Sequence, residues 1–188
     1  MKEDLKFQTL IHLHFGKDGK HKHNAILRAY RDFNRTLVLK KESKIERETK
    51  KIEIANFLEV KLSKLLTKRF KNQTAFDSFH KVLSFQIRNK WNLLSFGQIQ
   101  KWINMTLKYW LIIGEDRIHG IEKNYEYFHI PIDRIIKERI FKDHKHKFPW
   151  SKITDYSVYF KYQEEFRKLN PSEIPIIFES EIFIKIKQ

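Results

Sequence analysis

The chain has 188 residues, 41% hydrophobic and 14% aromatic, which is enough to bury a core and excludes a disordered segment. Thirty-eight Lys and Arg against 23 Asp and Glu leave a formal charge of +15; this is the footprint of a polyanion partner, with a merely lysine-rich surface as the alternative. The absence of cysteine excludes thiol nucleophiles, Cys-ligated zinc, iron–sulfur clusters and disulfides, and five Gly with four Pro are too few for a turn-rich β-sandwich.

The expected architecture is mainly α, one compact multi-helix domain over 1–188, divisible at most into an N-terminal helical lobe (1–92) and a second half (93–188). Residues 3–14 form a short amphipathic segment that ends in the Gly-rich turn 16–19. The apolar N-terminal stretch is too short and interrupted for a signal peptide, and no run of about eighteen apolar residues exists. A soluble, cytoplasmic protein away from membranes is therefore expected. From Asn24, the residues Ala25, Ile26, Leu27, Tyr30, Phe33 and Leu37 recur near helical spacing. Residues 40–51 are a charged stretch, either a loop or an exposed helix start, and Ile54, Leu58, Leu62, Leu65 and Leu66 continue as a helical stripe. Lys61, Lys64, Lys68 and Lys71 line one face of that helix, read either as a solvated face or as a track for phosphates.

Thr74 to Trp91 reads as the next helix, with Phe76, Phe79, Val82, Leu83 and Ile87 inward. A break at 93–98 precedes a strong amphipathic helix, Gln98 to Ile113. Residues 114–120 are a loop, and 129–133 lead into a helix from Arg134 to Lys142. Ser151 or Thr154 is a candidate N-cap for the helix Asp155–Leu169. The last segment, after Pro175, reads as helix rather than strand.

Three His pairs invite a metal reading: His12/His14, His21/His23 and His144/His146. Side chains two apart on a helix point away from each other, and no carboxylates complete a site, so no metal and no cofactor are expected. Arg139 and His144 have the R-x4-H spacing of helical ribonucleases of the HEPN type, which would make the chain an RNA-cleaving enzyme.

A sharper constellation is Lys101, Lys108 and Asp133. The two lysines are seven apart and share a helix face, and Asp133 follows Ile130-Pro131-Ile132 at a loop-to-helix junction. A lysine amine facing a carboxylate there suits a bifunctional DNA glycosylase, in which the amine attacks sugar C1′ and the carboxylate moves protons and stabilises charge. Two exposed lysines and an ordinary N-cap would leave the same pattern.

Lys101–Tyr109 (KWINMTLKY) followed by Ile130–Asp133 (IPID) resembles the active-site region of the archaeal-type 8-oxoguanine DNA glycosylase/lyases, a branch of the helix-hairpin-helix superfamily. The segment 176–183 (IIFESEIF) is similar to a terminal helix of that family. The resemblance spans roughly residues 95–186. It implies a helix-hairpin-helix glycosylase-like fold, catalytic Lys101 and Asp133, and a flipped base contacted by Glu179 and Phe183, with Trp102 or Trp150 as further stacking partners. Lys108, His129, Arg134 and Lys137 would join the nucleic-acid contacts, with DNA as the favoured partner over RNA. The family's hairpin Gly-x-Gly is missing here, Gly97 lies four residues before Lys101 with Gln98 as the other register, and Glu179 and Phe183 stand where the family has aspartate and tryptophan. A basic helical binding module without catalysis is the remaining reading.

Overall fold

The computed structural model describes residues 3–17, 19–38, 42–142 and 148–185, and among them eight α-helices follow one another with no β-strand. They are α1 (Glu3–Phe15), α2 (His21–Phe33), α3 (Lys44–Thr67), α4 (Gln73–Lys90), α5 (Phe96–Ile113), α6 (Arg134–Arg139), α7 (Tyr156–Leu169) and α8 (Pro175–Lys185). Short 3-10 turns at Asn34–Thr36, Ile121–Lys123, Tyr125–Tyr127 and Trp150–Lys152 link them. The mainly α expectation holds, and among the described residues no helix is long and apolar enough to cross a membrane.

Helix α5 is the axis. A capping box starts it: Ser95 Oγ accepts from Gln98 N (3.1 Å) while Gln98 Oε1 accepts from Ser95 N (3.0 Å), satisfying two otherwise orphaned donors. Gly97 in its first turn is a place no other residue fits. A Cβ there would lie 1.8 Å from the Trp150 carbonyl oxygen, and its own N–H donates to Ile153 O at 3.1 Å. Helix α2 lies on α5 through Ala25 and Ala29, both fully buried and one turn apart, whose small side chains allow close approach. The α5 tryptophans pin the pair: Trp102 Nε1 donates to Ile26 O (2.9 Å) and Trp110 Nε1 to Lys22 O (3.0 Å). One continuous hydrophobic core runs from Ile11 of α1 to Ile176 of α8.

Several boundaries differ from the sequence reading. The charged stretch 40–51 turns into helix at Lys44, because Ser43 and Glu46 form a second capping box. Helix α3 then stops at Thr67, so the four-lysine face is not one helical stripe; Lys68 has extended backbone and Lys71 follows in the connecting turn. Val82 points outward at 57% exposure, and His80 and Ser84 take the inward places on α4. Helix α6 ends at Arg139, three residues short of expectation, and Lys142 has left-handed backbone (φ 51°). The N-cap of α7 is Asp155, not Ser151 or Thr154, its carboxylate accepting from Ser157 N at 2.8 Å.

Candidate active site

Lys101, Met105, Lys108, Tyr109 and Ile112 fall at i, i+4, i+7, i+8 and i+11 on α5 and line one side of a cleft of about 480 Å³. Arg28 and Asp32 of α2, Arg35, the start of α6 and the α8 residues Glu179, Ser180, Ile182, Phe183 and Ile184 complete its walls. The volume is that of a small-ligand pocket.

At its centre Lys101 Nζ donates to Asp133 Oδ2 at 2.6 Å. Lys101 is 5% exposed, while the Asp133 side chain keeps 22% of its surface open. Asp133 divides its oxygens: Oδ1 N-caps α6 by accepting from Ile136 N (3.0 Å), and Oδ2 takes the lysine. Burial disfavours the charged form of Asp133, but the Lys101 ammonium outweighs it and holds the carboxyl below its ordinary range.

The segment carrying Asp133 is held by side-chain amides acting as a neighbouring strand would. Gln163 accepts from Ile130 N (3.1 Å) and donates to Ile130 O (2.9 Å). Gln100, adjacent to Lys101, accepts from Ile132 N (3.1 Å) and donates to Ile132 O (2.7 Å). Gln100 thus ties the loop to the helix that carries Lys101, which fixes the separation of Lys101 and Asp133. Beneath them His129 bridges Tyr159 Oη (2.7 Å) and Asp77 (2.7 Å), and Arg167 grips Asp77 with both terminal nitrogens (2.9 and 2.8 Å).

A second pair stands one helical repeat along the cleft. Lys108 Nζ bonds Glu179, both nearly enclosed, and lies 5.0 Å from the Phe183 ring centroid. Glu179 and Phe183 therefore share the cleft with Lys101 and Asp133. From the α5 wall Tyr109 Oη also donates to Asp32 Oδ2 of α2, at 2.6 Å. Burial pushes Asp32 above its ordinary range, with the Tyr109 hydrogen bond and the charges of Lys101, Arg28 and Lys108 opposing.

Three expected contacts are corrected. Trp102 is fully buried in the α2–α5 seam, so it offers no face to a base. His129 is fully buried and both ring nitrogens are engaged, so it reaches no phosphate. Lys137 is buried, donating to Phe148 O (2.7 Å) above the Tyr162 ring. Lys108 faces the cleft. Trp150 sits half-buried in the turn that covers Gly97. Arg134, its side chain 69% exposed, stays on the surface beside Asp133. Lys64, Lys68 and Lys71 are exposed and Lys61 lies over Phe57, but none of the four lines the cleft. Arg139 is exposed at the end of α6, whereas His144 and His146 lie outside the described residues. His21 bonds Gly16 O and His23 bonds Glu59, so that pair points apart, as do His12 and His14 on α1.

Sequence reasoning missed Arg28, Asp32, Arg35, Tyr109, Gln100 and Gln163. Tyr109 was within reach, one position after Lys108 on the same face; the α2 residues and Gln163 belong to helices whose neighbours no local spacing reveals. Comparison with known proteins finds no matching family model, no matching curated protein and no matching solved structure.

Proposed function

We propose that the chain binds DNA and acts as a base-excision glycosylase and abasic-site lyase through a Schiff base on Lys101. The observation that carries this reading is the 2.6 Å contact between Lys101 Nζ and Asp133 Oδ2 inside a cleft of ligand size. The ammonium first passes a proton to Asp133, freeing the amine. Attack on C1′ forms the N–C bond as the glycosidic bond breaks; the base departs with its electron pair and takes the second amine proton. Asp133 then returns its proton to the sugar ring oxygen as the ring opens to the iminium, and its restored carboxylate faces the new cation. The Asp133 carboxylate then takes a 2′ proton, and the C2′–H electrons form the new double bond as the 3′ phosphate leaves with its bonding pair. Glu179, Lys108 and Phe183 contact the flipped base: the ring stacks, and the buried ion pair reads polar edges.

Borohydride trapping on duplex DNA carrying an abasic site or 8-oxoguanine tests the reading. A covalent adduct is expected from the wild-type chain and not from Lys101→Gln. No adduct from folded wild-type protein on either substrate, or an undiminished adduct from the variant, sinks it. The RNA-cleaving alternative rests on Arg139 and His144, and His144 lies outside the described residues.

A further inference from the structure

Arg28 and Arg31 stand one turn apart on α2, and Arg35 follows in the 3-10 turn Asn34–Thr36, set off from α2 by the non-helical backbone of Phe33 (φ −123°). Arg28 and Arg35 line the Lys101–Asp133 cleft. Arg28 and Arg31 also line an adjoining groove of about 120 Å³, bounded by Gly16, Asn24 and Leu27. Arg28 is therefore the ridge shared by two concavities, and the arginines run from the cleft mouth into the groove beside it.

The three differ in what holds them. The Arg28 charge acts on Asp32 and on the Tyr109 hydroxyl inside the cleft. Arg31 and Arg35 are exposed, and neither is in an ion pair with another described residue. Exposed, uncommitted guanidiniums are suited to phosphate, whose oxygens they can bind in pairs, and they give up little existing interaction on doing so.

We propose that Arg28, Arg31 and Arg35 form the phosphate track of the cleft, along which runs the backbone of the strand whose nucleotide enters it. Arg28 sits nearest the reacting nucleotide, while Arg31 and Arg35 hold the phosphates flanking it. This rests on reading the cleft as the place where a nucleotide reacts. It also relocates the basic track from Lys61, Lys64, Lys68 and Lys71, none of which reaches that cleft.

The test is the salt dependence of binding. A fluorescent duplex with a reduced abasic-site analogue is titrated with the wild-type chain, with Arg31→Ala/Arg35→Ala and with Lys64→Ala/Lys68→Ala between 50 and 200 mM salt. Each phosphate contact contributes about 0.9 to the slope of log K against log salt, so the arginine variant is expected to be shallower by about 1.8 and the lysine variant unchanged. All four substituted side chains are exposed, and circular dichroism confirms the fold. An unchanged slope in the arginine variant, an equal fall in the lysine variant, or no binding of the duplex by wild type overturns the track. Borohydride trapping on the unreduced substrate separates the two ideas. An adduct with an unchanged slope keeps the lyase and discards the track; no adduct with the expected fall in slope does the reverse.

Discussion

Replacing Gln100 by leucine keeps side-chain bulk but removes every polar atom that holds the segment before Asp133. Four contacts vanish: Ile132 N loses its acceptor at 3.1 Å, Ile132 O its donor at 2.7 Å, Asn104 Nδ2 its acceptor at 3.1 Å, and Gly97 O a side-chain donor at 2.9 Å. Gln100, Asn104 and Ile132 are fully buried, so water does not replace what is lost. A buried group left unpaired costs about 1–3 kcal/mol, and the two main-chain groups alone give an expected loss of about 2–6 kcal/mol. With a urea m value of about 2 kcal/mol/M, the unfolding midpoint falls by about 1–3 M. Urea denaturation followed by tryptophan fluorescence measures this. Trapping rates on the same protein, still mostly folded in buffer, are expected to fall as well, because Asp133 follows directly on the released residue. Gln163→Leu makes the comparison: it frees Ile130 in the same way but three residues from Asp133, so it should cost similar stability with less of the rate. A midpoint shift under about 0.5 M for Gln100→Leu, with an unchanged m value, refutes the clamp.

Asp77→Asn is expected to cost about 3–5 kcal/mol at pH 7, since it leaves the Arg167 cation facing a neutral partner in a largely buried pocket. Burial pushes the Asp77 carboxyl up, but the His129 and Arg167 hydrogen bonds overcome it and leave it well below the ordinary range. Its contribution is therefore complete above the ordinary carboxylate range and lost as pH falls through that range and below it, so the variant's unfolding midpoint should be the flatter one in acid. Asp32 has the opposite sign: its raised carboxyl opposes folding once ionised, so Asp32→Asn should be no less stable than wild type at pH 7, with any gain disappearing toward acid pH. Gly97→Ala drives a Cβ into the Trp150 carbonyl, and thermal unfolding should report a loss of about 1–3 kcal/mol or more as the 150–152 turn is displaced.

Helix content was legible because apolar spacing repeats with the helical period in α2 through α5, and Gly97 and Pro175 mark real starts. What misled was local. The Lys61–Lys71 spacing obeys helical geometry, but nothing in four lysines says that the helix stops at Thr67. Val82 was read inward because hydropathy alone sends valine there, whereas the inward place is taken by His80, buried with both ring nitrogens bonded, to Tyr156 Oη (2.9 Å) and Asn104 (3.1 Å). Trp102 neighbours Lys101 in sequence but lies 100° around the helix, and that rotation sends it into the core. The Lys101–Asp133 contact was accessible because the proline-containing segment stops at an N-cap, a junction readable one residue at a time. The glutamine clamps that fix the junction need partners 32 and 33 residues away, a distance no local pattern encodes.

The two ion pairs of α5 pose an energetic question that stability does not answer. Removing a lysine and a carboxylate from water costs several kcal/mol per ion, and apolar residues of similar volume often serve a core as well or better. Lys108 and Glu179 are 6% and 5% exposed and lie one helical repeat from Lys101 and Asp133, in a helix otherwise rich in Ile, Trp and Leu. A chain under selection for core packing alone has no reason to set two such pairs along one face and open that face to a cleft. Both pairs border the same 480 Å³ of space, with Phe183 exposed beside one and Asp133 partly open beside the other. Charged groups held in position before a ligand arrives need little reorganisation when charge develops on it, which is the condition for electrostatic catalysis. The cost of burying them is thus placed on the wall of the cleft, where under the proposed function a reacting sugar and a flipped base would draw on it, and Lys108→Met tests this division. If the pair serves the site, the variant keeps or gains thermal stability when combined with Glu179→Leu yet loses trapping on the lesion-bearing duplex; if the pair serves only the fold, the double variant is less stable and traps as wild type does.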